Sequence, residues 1–293
     1  MTTPNHARTA VGRIGLWSSA FKAGDPARKD HVTEAAAELD ELGYGALWVG
    51  GSPALDDVAP LLDATGRITV ATGILSIWQH SAESVAARLA DFEAAHPGRF
   101  VLGLGVSHDA LAPQYAKPYS AMKEYLSALD AAPAPVPAER RVLAALGPKM
   151  LELSRTRAAG AHPYLVTPEH TAKARAALGE EALLAPELKV VVDEDVTAAR
   201  ALARTYLSYY LPLPNYTNNF LRLGFVEDDF KDGGSDRLID AVFALGSPAA
   251  IRARADEFLA AGADHLAVQV VTADPRTDLP LPQWRALAEA LPL

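Results

Sequence analysis

His108 is the residue whose type and place most directly suggest chemistry. It follows the apolar run RFVLGLGV, and an imidazole can hold or release a proton near neutral pH. Its plain alternative is a structural hydrogen bond to Asp109 or to a backbone carbonyl. Trp17, Trp48 and Trp78 are flat surfaces that can either wall a pocket for a planar ligand or pack strands against helices. Thr167-Pro168-Glu169-His170 reads as a helix start. Its free N–H groups could hold a phosphate with help from Lys149, Lys173 and Arg175, although a plain N-cap has the same sequence and Glu169 opposes an anion. His80, His108 and His170 have no metal-ligand spacing, so no metal is expected. Gly103-Leu104-Gly105 fails as a dinucleotide fingerprint because His108 stands where the third glycine belongs. Its glycines instead permit close approach of a ligand.

These residues need a scaffold that collects them. Short apolar runs at 12–17, 46–50, 68–75, 99–106, 141–146, 162–166, 188–192 and 265–271 alternate with amphipathic stretches, the pattern of parallel strands joined by crossover helices. Several runs are apolar at nearly every position, as strands covered on both faces must be. Val32, Ala35, Ala36, Leu39 and Leu42 have helical spacing, as do Ile251, Ala255 and Phe258. Eight such units predict an α/β fold, a (β/α)8 TIM barrel, with residues 1–293 forming one domain. The stretch 196–264 is too long for one crossover and is expected to add helices between strands seven and eight. In such barrels chemistry gathers where strands end, at Trp17-Ser18, Gly50-Gly51-Ser52, Leu75 to His80, Ser107-His108, Gly147-Pro148, Thr167 to His170 and Gln269.

Bulk properties narrow the function. The 293 residues include no cysteine, which excludes disulfides, thiolate nucleophiles and cysteine-held metals. A formal net charge of −9 opposes nucleic-acid binding. Neither a secretory leader nor a membrane-length apolar run is visible, so a cytoplasmic protein without membrane partners is expected. A composition 49% hydrophobic and 22% charged suits a packed globular chain.

The strings ELGYGALWVG, ITVATGIL, HPGRFVLGLGVSH, LAALGPKMLELS, AGAHPYLVTPEHTAKAR and AGADHLAVQV together resemble the luciferase-like flavin and deazaflavin oxidoreductases. The likeness is strongest to an actinobacterial branch described as dependent on coenzyme F420, and runs from about residue 11 to 271. It implies F420 as cofactor, with FMN and a separate reductase partner as the alternative, hydride transfer with a small organic substrate, and a homodimer. It also implies a non-prolyl cis peptide at Gly73-Ile74. Cofactor contacts would come from Gly73, Ile74, Ser76, Gly105, Val106, Ser107, Gly147, Thr167, Pro168, Glu169 and His170, with Trp17 beside the ring and His108 or a water handling the proton. One departure stands out. Some members carry an Asp-His pair after strand two, where this chain has Gly50-Gly51-Ser52. A binding member without turnover is therefore a further reading.

Overall fold

The computed structural model describes residues 5–107 and 116–293. Its strands are β1 (Ile14–Ser18), β2 (Ala46–Gly50), β3 (Thr69–Gly73), β4 (Leu75–Ser76), β5 (Phe100–Gly105), β6 (Arg141–Leu143), β7 (Gly160–Ala161), β8 (Leu183–Leu184), β9 (Glu187–Val192), β10 (Phe243–Gly246) and β11 (Leu266–Val270). Helices α1 (His6–Ala10), α2 (Lys29–Leu42), α3 (Leu55–Ala64), α4 (Ala82–Ala95), α5 (Pro118–Ala131) and α6 (Pro148–Arg157) accompany the first half. The second half carries α7 (Pro168–Leu178), α8 (Val196–Ser208), α9 (Pro214–Arg222), α10 (Asp236–Val242), α11 (Pro248–Ala260) and α12 (Leu281–Ala290).

All pairings are parallel, and the order β9, β11, β1, β2, β3, β5, β6, β7, β8 makes a ring. The ring closes because β8 and β9 are one run interrupted only at Ala185-Pro186. Along it Leu183, Ala185 and Glu187 donate their N–H groups to the carbonyls of Ala159, Ala161 and Pro163. This is the TIM-barrel architecture expected from the alternation of apolar and amphipathic runs.

The helices form where the sequence places apolar spacing and end signals. Helix α2 buries Val32, Ala35, Ala36 and Leu39 and stops at Gly43, whose φ of 95° is left-handed. Helices α7 and α11 start on Thr167 and Ser247, whose side chains accept the N–H of His170 and Ala250, each followed by proline at the first turn.

Three expectations require correction. The sixth strand is Gly160–Ala161 rather than 162–166: Pro163 has no N–H to continue the ladder, and Leu165 turns left-handed at φ 53° to aim the chain into α7. The segment 196–264 holds more than helices. After α8, α9 and α10, β10 pairs with the upper part of β9, Phe243 against Lys189 through Gly246 against Val192. The fifth strand is also shorter than 141–146, ending at Leu143.

The lower barrel interior is filled by Trp48 with two histidines. His162 stacks on Trp48 at 4.4 Å and 8°, and its Nδ1–H donates to the Ala185 carbonyl at 2.7 Å. Trp48 Nε1–H donates to His265 Nε2 at 2.9 Å, which leaves the proton of His265 on Nδ1 facing the Gly12 carbonyl at 3.0 Å. Both imidazoles are thus held neutral, and burial pulls each down to about 4. Below about pH 6.5 the unfolded chain takes up protons at these two rings while the folded barrel refuses them until about 4. Stability is therefore full above pH 6.5 and lost as pH falls toward 4, by roughly 3 kcal/mol per histidine. Urea unfolding midpoints across that window check this, and replacing His265 with glutamine should flatten the slope.

Candidate active site

Above the indole and imidazole layer the mouth of the barrel has two unlike halves. Parallel register aligns Trp17 with Trp48, Gly50 with Gly73, and Lys189 with both Gln269 and Phe243. Alternation along each strand sends these side chains inward.

The β2, β3 and β5 side is lined by glycines because other rings need the space. Trp17 lies across Gly50 and Gly73, only 6% exposed, and its Nε1–H donates to the Gly73 carbonyl at 2.8 Å. A Cβ at Gly50 would sit inside the Trp17 indole. This is the physical reason why no Asp-His pair follows β2: the indole occupies the volume, and Gly51 adopts φ 70°, which disfavours a side chain there. Trp17 is thus a buried floor rather than an open wall.

The Gly73-Ile74 peptide is cis, as the resemblance implied, and it separates β3 from β4. Ile74 lies over Gly105 and is partly exposed toward the mouth. Ser76 is buried and its N–H donates to the Ser52 hydroxyl at 3.1 Å, which in turn donates to Gln79 Oε1 at 2.9 Å. Trp78, half-buried, donates through Nε1 to the Val106 carbonyl at 2.5 Å, tying the β4 and β5 ends together. Ser107 follows with φ 56°. His108 and Asp109 lie outside the described residues.

The opposite side carries a polar cluster that strand-end reasoning missed, apart from Gln269. Lys189 and Glu187, both fully buried, form an ion pair of 2.7 Å inside the barrel. Burial pulls Lys189 down to about 8 and pushes Glu187 up, and each partner opposes the other's shift. Lys189 Nζ lies 3.5 Å from the centroid of the Tyr164 ring. The Tyr164 hydroxyl meets Tyr206 at 2.7 Å, Tyr210 at 3.1 Å and Gln269 Oε1 at 3.1 Å. Tyr206 meets Tyr210 at 3.0 Å and accepts from Gln269 Nε2 at 2.9 Å. Trp17 joins the two halves, its ring 5.4 Å from that of Tyr164. A signal for the pair existed: two charges two residues apart in the apolar run ELKVVV share one face of a buried strand.

A third group sits where α6 and α7 begin. Gly147 caps α6 with open space around its Cα, and Thr167 caps α7. His170 joins the two turns, its Nε2–H donating to the Leu146 carbonyl at 3.0 Å. Its Nδ1 is then a buried lone pair without a partner among the described residues. Burial lowers the pKa of His170, as do the neighbouring cations Arg222 and Lys173. Pro168 is half-buried and Glu169 exposed. Among the described residues no three His, Asp or Glu side chains converge as metal ligands, and no helix is long and apolar enough to cross a membrane.

The model of the luciferase-like monooxygenase family matches residues 10–265. The chain belongs to that family. Solved structures share the fold of this luciferase-like chain at low identity. An F420-dependent secondary alcohol dehydrogenase in complex with an F420–acetone adduct is 14% identical with a TM-score of 0.72, over 96% of this chain and 98% of that one. The coenzyme F420-dependent tetrahydromethanopterin reductase from Methanopyrus kandleri is 15% identical with a TM-score of 0.73, over the same shares. The oxygenating constituent of 3,6-diketocamphane monooxygenase from Pseudomonas putida, in complex with FMN, is 16% identical with a TM-score of 0.65, over 94% and 96%. No curated protein sequence matches the chain.

Two outcomes test this anatomy of the luciferase-like mouth. Gly50→Ala should cost about 1–3 kcal/mol through its collision with Trp17, read by urea denaturation. Lys189→Met should cost about 3–5 kcal/mol by stranding Glu187, while adding Glu187→Leu should recover most of it.

Proposed function

We propose that this protein is an oxidoreductase that holds coenzyme F420 at the barrel mouth and exchanges a hydride with a small organic substrate. The observation that carries the reading is the pair of helix starts at Gly147 and Thr167, joined by His170. Coenzyme F420 and FMN both carry a polyol chain ending in phosphate, and the residues present fit that chain. The start of α6 at Gly147 and the nearby cations Lys173 and Arg222 suit the phosphate, while the first turn of α7 is already filled, its His170 N–H by Thr167 and its Glu169 N–H by the Glu169 carboxylate. The unpartnered Nδ1 of His170 suits a polyol hydroxyl that donates to it. Preference for the deazaflavin is supported by the sequence strings that resemble the F420-dependent branch, and by two similarly folded F420-dependent enzymes. FMN with a separate reductase is the second reading, favoured by the similarly folded FMN-bound monooxygenase.

When bound, the deazaflavin supplies two-electron hydride chemistry at its C5. The chain's own residues do the rest. Gly73, Ile74 and Gly105 shape the wall on which a ring can lie, with Trp17 fixing that wall from beneath. Ser76 and Val106, tied to Ser52, Gln79 and Trp78, fix the strand ends, and Ser107 offers its backbone beyond them, with Pro168 and Glu169 in the turn that opens α7. The mouth positions the substrate against the ring and limits water. His108 is proposed as the group that manages the substrate proton, since Gly50-Gly51 leaves no imidazole after β2.

Parallel titrations with F420 and FMN test the reading, and absence of F420 binding overturns it. His170→Ala should weaken the cofactor that binds by about tenfold, the worth of one hydrogen bond. Oxygen-dependent turnover with FMN and a reductase would favour the second reading.

A further inference from the structure

The tyrosine ring opposite the glycine wall has more contacts than protons. Its four hydroxyl contacts are Tyr164 with Tyr206, Tyr164 with Tyr210, Tyr206 with Tyr210, and Tyr164 with Gln269 Oε1. Three phenols bring three hydroxyl protons, and the Gln269 amide fills only its own bond to Tyr206. One contact therefore has no proton whatever the rotamers.

The position of the deficit can be traced. Gln269 Oε1 can only accept, so Tyr164 donates to it. The shortest contact, 2.7 Å, takes the Tyr206 proton toward Tyr164. Tyr210 then donates inward to either neighbour and accepts from neither. Its oxygen is left with lone pairs and no donor, and Tyr210 is half-buried where Tyr164 and Tyr206 crowd its inner side. Tyr216 packs edge-on at 5.3 Å and makes the neighbouring wall aromatic. Lys189 and Glu187 beneath neutralise each other and are sealed from solvent, so no unpaired charge faces a ligand from below.

We propose that Tyr210 Oη is a subsite for the hydroxyl of an uncharged, ring-bearing substrate, which donates to it. This rests on the oxidoreductase reading and gives it a substrate class: a hydroxyl compound is held, and a ligand that can only accept leaves the deficit unfilled. The nearby Trp17 ring, which also supports the glycine wall, places this subsite beside the surface proposed for the cofactor. A site built around a missing donor disfavours the analogue that lacks one, because the Tyr210 oxygen, crowded on its inner side by Tyr164 and Tyr206, then gains no donor from the ligand that covers it.

The test uses cofactor-free protein with 2-naphthol and its O-methyl ether, two fluorescent neutral probes that differ in one donor. The expected result is that the wild-type protein binds the naphthol about tenfold or more tightly than the ether. Tyr210→Phe should bind both alike, while Tyr209→Phe, at the exposed neighbour on the same helical end, should keep the preference. Equal binding of both probes by the wild type, binding of neither, or an undiminished preference in Tyr210→Phe would overturn the proposal. The wild-type comparison decides by itself if that variant fails to fold. Titrating Tyr210→Phe with F420 separates the two readings: unchanged affinity is expected, and failure of F420 to bind either protein would sink the cofactor assignment without altering the probe result.

Discussion

A closed ring of eight parallel strands must fill its own interior, and that requirement governs this molecule. Two indoles and two imidazoles fill the lower layer and part of the next. Once Trp17 forms the floor of the mouth, β2 and β3 must present glycines against it, so no side chain can stand at position 50 or 73. The remaining half of the layer needs bulk as well. It is supplied by Lys189, Gln269, Tyr206 of α8, Tyr210 just after it and Tyr164 of the loop after β7, whose polar atoms bond to one another save for the missing donor at Tyr210. The chemistry of the mouth is therefore a by-product of how its volume is divided.

Much of the scaffold could be read directly from residue order. Apolar runs of strand length, helical spacing between them, and Ser-Pro or Thr-Pro starts located seven of the ring positions closely, because each depends on local rules. The sixth position failed for an equally local reason: apolar HPYLV looks like a strand, but Pro163 and the left-handed Leu165 end the ladder early. Strand β10 escaped because FALG is four residues long inside a helical stretch, and only its partner β9 gives it a role.

The candidate site was legible where it rests on strand ends and caps, as at Thr167, His170 and Gln269. The tyrosine ring was not. Tyr164 comes from a loop, Tyr206 from α8, Tyr210 from the turn just after it, and Gln269 from β11, so their convergence exists only after the ring closes. Glu187 and Lys189 were different, since two charges in an apolar strand already demanded a partner. Reading that run from Leu188 onward omitted the glutamate and with it the pairing.

The short strand β10 sets how this family member can be altered. It returns from α8, α9 and α10 to pair with β9 starting at Lys189 itself, so the added helices are laced to the barrel by main-chain hydrogen bonds as well as by side-chain packing. That lacing makes residues 196–246 one exchangeable block. A graft of α8 and α9 alone would bring new residues to the mouth without the ladder that holds them in place, whereas a graft ending after Gly246 would carry its own hinge to the host.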